Sequence, residues 1–149
     1  MIKKVKFPFG KSSTKKILTT HPDIQKIMYF ASMVMNLTVI EGVRSNARQA
    51  ILFKKKKSKT MLSKHLKQPD GWSHAIDTAP YNPKVKGGID WKDREGFIAM
   101  QFLIKGIATA LYEIGEISHL VRSGIDWDND NNIKEHSFFD GPHSEIYKP

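Results

Sequence analysis

The sequence predicts an α+β fold in which a small antiparallel sheet has helices packed against it. Short strand-like stretches are interspersed with amphipathic helical patterns along the chain. One helical pattern, residues 94–114, is much longer than the others. The length of 149 residues and the hydrophobic content of 40% fit one domain with one core. We therefore predict a single domain over residues 1–149.

Two short helices are predicted near the N-terminus. Hydroxyl side chains at residues 12–14 can cap a short helix that stops near residues 19–20. His21 is expected to be a capping or surface histidine at the start of the second helix. There Pro22 suits the first turn, and Asp23 complements the positive end of the helix dipole. The apolar residues of this helix recur at helical spacing and should face the core: Ile24, Ile27, Met28, Ala31 and Met35.

A buried strand and a third helix should follow. Residues 37–40 are short and rich in β-branched side chains, which is typical of a buried strand. Ser45 can cap a helix over residues 46–53. That helix runs into four lysines, residues 54–57, which we interpret as a solvated helix end. The same run is the best candidate in the sequence for contact with an anionic polymer.

The second half of the chain alternates loops with regular elements. Residues 58–73 are polar and should form a loop around His65, followed by a strand over residues 74–79. Side chains alternate along a strand, so Asp77 and His74 should point to opposite faces and not hold the same ion. The remaining predicted elements are a loop at 81–90, the helix at 94–114 ending at Gly115, and strands at 117–121 and 143–147.

Composition narrows the chemistry. There are no cysteines, so disulfides, thiolate metal sites and cysteine nucleophiles are excluded, and a metal must be held by His and Asp or Glu. The formal charge of +9 predicts attraction to nucleic acid, anionic lipid headgroups or an anionic cell envelope. The N-terminal residues lack the apolar run of a secretory signal, and no stretch approaches the length of a membrane span. We therefore expect synthesis in the cytoplasm and no membrane insertion.

Two histidines and two aspartates are the residues to which we give a chemical role. His65, Asp77 and His143 could give Zn²⁺ three protein ligands and leave a fourth position for water. Asp140 precedes His143 by three residues and could act beside that water as a general base.

An acidic loop is a second candidate metal site. Asp126, Asp128 and Asp130 alternate like the start of a calcium loop, but Asn131 stands where such loops have glycine, and Ser137 where they have a bidentate glutamate. It is not an EF-hand.

These motifs in their order resemble the zinc peptidases of the D-alanyl-D-alanine carboxypeptidase group, and most closely the bacteriophage L-alanyl-D-glutamate endopeptidases, which are endolysins. The similarity covers nearly the whole chain. The segments that carry it are His21-Pro22-Asp23, Glu41-Gly42-Val43-Arg44-Ser45, Gln49, Ser58-Lys59-Thr60, Ser63-Lys64-His65, Ala75-Ile76-Asp77, Gly124-Ile125-Asp126-Trp127-Asp128 and Phe138-Phe139-Asp140-Gly141-Pro142-His143.

The resemblance implies a zinc DD-peptidase fold and assigns site residues. It implies that His65, Asp77 and His143 bind zinc and that Asp140 is the catalytic carboxylate. Asp77 lies twelve residues after His65, where the family usually has seven, so residues 67–72 are interpreted as a loop insertion that leaves His74 as the alternative ligand. Strand alternation favours His65. The resemblance also implies a possible regulatory Ca²⁺ at the acidic loop, since related phage endopeptidases include calcium-responsive members.

Arg44 and Ser63 are the candidate substrate-binding residues. Arg44 could grip the free α-carboxylate of D-glutamate or a developing oxyanion, or it could pair with Glu41 and only shape the loop. The predicted function is hydrolysis of the L-Ala–D-Glu amide of the peptidoglycan stem peptide by a monomer. The endolysin resemblance implies that the protein reaches the wall through membrane holes made by another protein. The alternatives are a D-Ala-D-Ala carboxypeptidase on the same scaffold and a basic nucleic-acid-binding protein. The latter ranks lower because the lysines are not interleaved with aromatic residues.

Overall fold

The computed structural model describes residues 5–134 and 137–149. Within them the chain forms helices α1 (Lys11–Ile17), α2 (Pro22–Ala31), α3 (Asn46–Lys54) and α4 (Arg94–Glu113), and strands β1 (Leu37–Glu41), β2 (Ala75–Pro80), β3 (Leu120–Ser123) and β4 (His143–Tyr147). No helix in these residues is long and apolar enough to cross a bilayer.

The four strands form one antiparallel sheet in the order β1-β2-β4-β3. Helix α4 packs against β2 and β3, α2 packs against α4, and α1 packs against β1. The buried side chains between these elements form one apolar core, which includes Ile27, Met28, Ile76, Met100, Ile104 and Ile146. The predicted α+β class, with helices packed on a small antiparallel sheet, is confirmed.

Helix ends agree with the sequence at most positions. His21 Nδ1 accepts a hydrogen bond from the backbone N–H of Asp23, Ser45 caps α3 through the N–H of Arg48, and Gly115, at φ +77°, follows the end of α4. The cap predicted for α1 is wrong. Helix α1 begins after Gly10 without a side-chain cap, and Ser13 lies inside it, where its hydroxyl accepts the N–H of Val39 in β1.

The third strand is also displaced from its predicted position. It spans Leu120–Ser123, not residues 117–121. Asp23 in the first turn of α2 accepts hydrogen bonds from the backbone N–H of Ser118 and from His119 Nδ1, so residues 118 and 119 are tied to α2 and cannot pair with β4.

Candidate metal centre and active site

The centre of the sheet brings three candidate ligands together. Strands β2 and β4 pair so that Asp77 lies directly opposite His143. His143 Nδ1 is 3.3 Å from Asp77 Oδ1, and His65 Nε2, which enters from the loop before β2, is 3.1 Å from the same oxygen. All three residues are buried or half-buried. Residues 78 positions apart in the chain thus meet at one point.

These distances fit a zinc ion. Ligand bonds of about 2.0–2.1 Å in a tetrahedral site place neighbouring ligand atoms roughly 3.3 Å apart. The observed spacings of 3.1 and 3.3 Å match that edge length. Two imidazoles and one carboxylate are also the donor set of a catalytic site, which keeps one position open for water or substrate.

His65 is oriented by the backbone around it. Its Nδ1 lies 2.9 Å from the carbonyl oxygen of Gly42, so Nδ1–H donates there and Nε2 keeps a lone pair directed at Asp77. The backbone N–H of His65 donates to Ser63 Oγ at 3.1 Å. A side chain at Gly42 would overlap the backbone of Lys16, which explains why glycine is needed where this loop touches α1. The ligand tautomer is therefore fixed before any ion binds.

His143 is held by a second carboxylate. Its Nε2 is 3.0 Å from Glu145 Oε1, and Glu145 Oε2 accepts from Arg122 Nη2 at 3.0 Å. Burial alone would lower the pKa of His143, but the hydrogen bonds to Asp77 and Glu145 overcome it and raise this pKa to about 9. Burial would raise the pKa of Asp77, yet the hydrogen bond and the positive charge of His143 keep it far below its usual range. An ionised Asp77 and a protonated His143 thus face each other in the cation-free site.

Asp140 lies at the edge of this cluster. Its backbone N–H donates to the carbonyl of Gly124 at 2.8 Å, and its own carbonyl accepts the N–H of His143 at 3.2 Å. A side chain at Gly124 would collide with the backbone of Asp140, so glycine permits this close approach. Burial and the nearby charge of Asp77 raise the pKa of Asp140, which suits a carboxylate that must accept a proton.

A cavity of about 730 Å³ opens in front of these groups. The three candidate ligands and Asp140 line it, as do both predicted substrate-binding residues, Arg44 and Ser63. The sequence therefore anticipated residues that share one cavity, which is large enough for a peptide segment.

Arg44 makes the ion pair with Glu41 that the sequence left open. Its Nε and Nη2 donate to the two carboxylate oxygens of Glu41 at 2.9 and 2.8 Å, and Nη1 donates to Gln49 Oε1 at 2.7 Å. Nη2 also lies 3.8 Å from Asp77 Oδ2. These contacts use three of the five guanidinium N–H groups and fix the plane of the guanidinium beside the three candidate metal ligands.

His74, the alternative ligand, belongs to a different cluster. Its Nε2 lies 2.6 Å from Asp70 Oδ2, and its ring makes an edge contact with His21 at 5.3 Å between centroids. The strand predicted over 74–79 spans Ala75–Pro80, so His74 lies directly before β2, and its ring contacts Asp70 and not Asp77. His65, not His74, lies beside Asp77.

The acidic loop holds its three carboxylates close together. One oxygen from each of Asp126, Asp128 and Asp130 lies within 4.8 Å of the others. Asp126 is buried and already accepts the N–H groups of Asp130 and Asn131, with Lys105 Nζ at 3.5 Å. A lysine therefore compensates part of the charge, and calcium binding here stays a prediction.

Sequence reasoning missed two residues that support the site. Glu145 lies two positions after His143 on the same face of β4, and that spacing could have revealed it. Gln101 lies among the buried apolar residues of α4. It is buried, and its Nε2 donates to the carbonyls of Gly141 and His143 at 2.7 and 3.1 Å. A polar residue within an apolar stripe was the available signal.

The fold is a small α+β domain, and in its site two histidines and one aspartate converge at the middle of the sheet beside a further carboxylate. Together they define a class of protein with a candidate metal-dependent hydrolase site. The family model of the phage L-alanyl-D-glutamate peptidase matches residues 5–147, so the chain belongs to this family.

One relative and one solved structure are similar to this chain. The L-alanyl-D-glutamate peptidase of Escherichia phage T5 is 34% identical over 150 residues, which cover 94% of this chain and 98% of the relative. The crystal structure of the Serratia marcescens L-Ala D-Glu endopeptidase ChiX shares the fold, with a TM-score of 0.69 and 23% identity over 96% of this chain and 92% of that one.

Proposed function

We propose that this chain is a peptidoglycan hydrolase that cleaves the L-Ala–D-Glu amide of the stem peptide with a zinc ion held by His65, Asp77 and His143. The observation that carries the proposal is the convergence of these three side chains, at 3.1 and 3.3 Å, in a chain of the phage L-alanyl-D-glutamate peptidase family. A basic protein also meets an anionic cell envelope faster than a neutral one would.

Zinc bound there would supply two effects: a lower pKa for its water and polarisation of the scissile carbonyl. The protein's own groups prepare this chemistry. His65 and His143 each keep one ring nitrogen facing Asp77 because the other nitrogen is engaged by the Gly42 carbonyl or by Glu145.

Asp140 moves the proton in this mechanism. Its carboxylate takes a proton from the attacking water and returns it to the leaving amine of D-glutamate. A pKa raised by burial and by Asp77 makes the carboxylate a stronger base than an exposed aspartate. Protonated after the attack, it becomes the acid that the leaving nitrogen requires.

Arg44 is the proposed anchor for the substrate. In the stem peptide the D-glutamate is linked through its side chain, so its α-carboxylate is free and adjacent to the scissile amide. Glu41 and Gln49 fix the guanidinium and leave two N–H groups for that carboxylate or for the developing oxyanion. Ser63, whose Oγ accepts the N–H of His65, shapes the neighbouring wall of the cavity.

Digestion of purified peptidoglycan by wild type and by Asp140→Asn tests the proposal, with Glu113→Gln as an exposed carboxylate control. We expect wild type and the control to release stem peptides with a new D-glutamate amino terminus, identified by mass spectrometry. Asp140→Asn should be slower by about 10²–10⁴-fold. A chelator should stop the reaction, and added Zn²⁺ should restore it.

Three other outcomes would each contradict one part of the proposal: the general base, the bond that is cleaved or the zinc ion. Undiminished digestion by Asp140→Asn would remove the general base. Release of free D-alanine in place of D-glutamate termini would favour a D-Ala-D-Ala carboxypeptidase. Full activity after exhaustive chelation would remove the zinc.

A further inference from the structure

The net charge of the chain is concentrated in one segment. Nine of the 24 Lys and Arg residues lie between positions 42 and 69, where there is no Asp or Glu. The remaining 15 basic residues balance the 15 acidic residues of the rest of the chain. The whole formal charge of +9 therefore belongs to a stretch of 28 residues that includes α3 and the loop after it.

This segment also exposes apolar side chains. Ile51 and Phe53 on α3 are 53% and 46% exposed, and Met61 and Leu62 in the following loop are 43% and 87% exposed. Lysines 54–57 between the two pairs are all exposed. Apolar groups are thus placed among cations and outside the core.

Helix α3 is not held in place by the core. Gln49 is its one buried residue, and among the described elements α3 has no substantial packing contact with another helix or strand. Gln49 Nε2 donates to Ser58 Oγ and to the carbonyl of Thr60 at 2.8 and 2.6 Å, so the loop is folded back beside the helix. Residues 61 and 62 therefore begin next to α3.

We propose that this cationic segment, in which exposed Ile51, Phe53, Met61 and Leu62 flank lysines 54–57, docks peripherally on an anionic lipid surface. Exposed lysines among exposed aliphatic and aromatic side chains match an interface with anionic headgroups outside and acyl chains beneath. Charge complementarity selects anionic over zwitterionic lipid. The apolar side chains select lipid over nucleic acid, because Phe53 is the only aromatic residue of the segment and base stacking needs more.

Docking here would keep the candidate active site at the lipid boundary. Lys57, Lys59 and Leu62 line the same cavity as the three candidate ligands. Binding through α3 and residues 61–62 thus places the cavity mouth beside the surface.

Flotation of the full chain with vesicles tests the proposal. We expect binding to an equal mixture of phosphatidylglycerol and phosphatidylcholine and little binding to pure phosphatidylcholine. Replacing Lys54, Lys55 and Lys56 by Gln should lower the partition coefficient by roughly 100-fold. Replacing Lys84, Lys86 and Lys92 by Gln removes the same charge from exposed positions elsewhere and should have a much smaller effect.

A second variant separates lipid from a general polyanion. Ile51→Ser with Phe53→Ser keeps every charge and should weaken vesicle binding, while leaving any binding to duplex DNA unchanged. Thermal melting verifies that each variant is folded. Equal binding to both kinds of vesicle, equal loss in the two lysine triples, or wild-type vesicle binding by the serine variant would each overturn lipid docking.

Discussion

At the scale of single residues, the candidate ligands differ in what they need before a cation can bind. His65 is already fixed in a ligand tautomer by the Gly42 carbonyl. His143 instead lies between two carboxylates, which raise its pKa to about 9. Below that pH the ring holds a proton on each nitrogen, so an ion must displace one proton from it.

Zinc affinity should consequently depend on pH. The free protein keeps His143 protonated below its pKa, and the zinc-bound protein keeps it neutral, so binding releases a proton. The association constant should rise about tenfold per pH unit up to a pH near this pKa and then level off. Competition with a fluorescent chelator at several pH values measures it.

Glu145→Gln is the matched variant for this prediction. It removes one of the two carboxylates that raise the pKa of His143, so the affinity should level off at a lower pH than in wild type. The same variant should bind zinc about 10–100-fold more weakly on its plateau, because the ring loses its orienting partner. An identical pH profile in the two proteins would show that Glu145 does not control this histidine.

The sequence predicted a shared site for residues that belong to recognisable motifs, and their chemical roles stay predictions. His65, Asp77, His143 and Asp140 were predicted to share a site, and the structure brings them to one cavity. The supporting contacts were not predictable in the same way. Gln101 acts on residues 40 and 42 positions away, and nothing in a single sequence indicates which backbone carbonyls a buried amide will meet.

At the scale of elements, helix α4 fixes the start of strand β4 beside the candidate metal ligands. Gln101 on this helix donates to the Gly141 and His143 carbonyls and accepts from Ser144 Oγ at 2.9 Å. These three contacts fix residues 141–144, which directly follow Asp140 and include His143. The helix thus contributes to the site without lining the cavity.

Replacing Gln101 by Leu should damage stability and the site together. The substitution removes the donor to the Gly141 carbonyl and the acceptor of the Ser144 hydroxyl, at about 1–3 kcal/mol for each group that stays buried and unpaired. The His143 carbonyl keeps the backbone N–H of Gly124 at 2.8 Å. We expect a lower urea midpoint and weaker zinc binding. Gln25→Leu is the control, since Gln25 Nε2 bonds the Thr20 carbonyl away from the site and should cost stability alone. Wild-type zinc affinity in Gln101→Leu would show that Gln101 does not position His143 for metal binding.

Element boundaries failed where a tertiary contact replaced a local one. The hydroxyls of residues 12–14 fit a capping pattern, but these residues lie inside α1, where Ser13 accepts the backbone N–H of Val39 in β1. The apolar stretch at 117–121 fits a strand, but Asp23 holds residues 118 and 119 and moves the strand to Leu120–Ser123. Periodicity located both elements correctly in the chain, and contacts between distant segments set their ends.

At the scale of the whole molecule, the candidate metal centre joins three separate parts of the chain. His65 comes from the loop after α3, Asp77 from β2 and His143 from β4. An ion at this point is held only when the loop and both strands are in their native positions. Zinc binding should therefore stabilise the folded state as a whole.

Removal of zinc should lower the melting temperature. A ligand at 100 times its dissociation constant stabilises the folded state by about 2.7 kcal/mol, which for a chain of this size corresponds to roughly 5–10 °C. Differential scanning calorimetry with and without a chelator measures the shift. His65→Ala should melt at the same temperature in both conditions because it lacks a ligand. His74→Ala should keep the chelator-dependent shift, since His74 lies with Asp70 and His21 and not beside Asp77. The reverse pattern in the two variants would exchange the roles of these histidines and require the loop of residues 67–72 to rearrange when the ion binds.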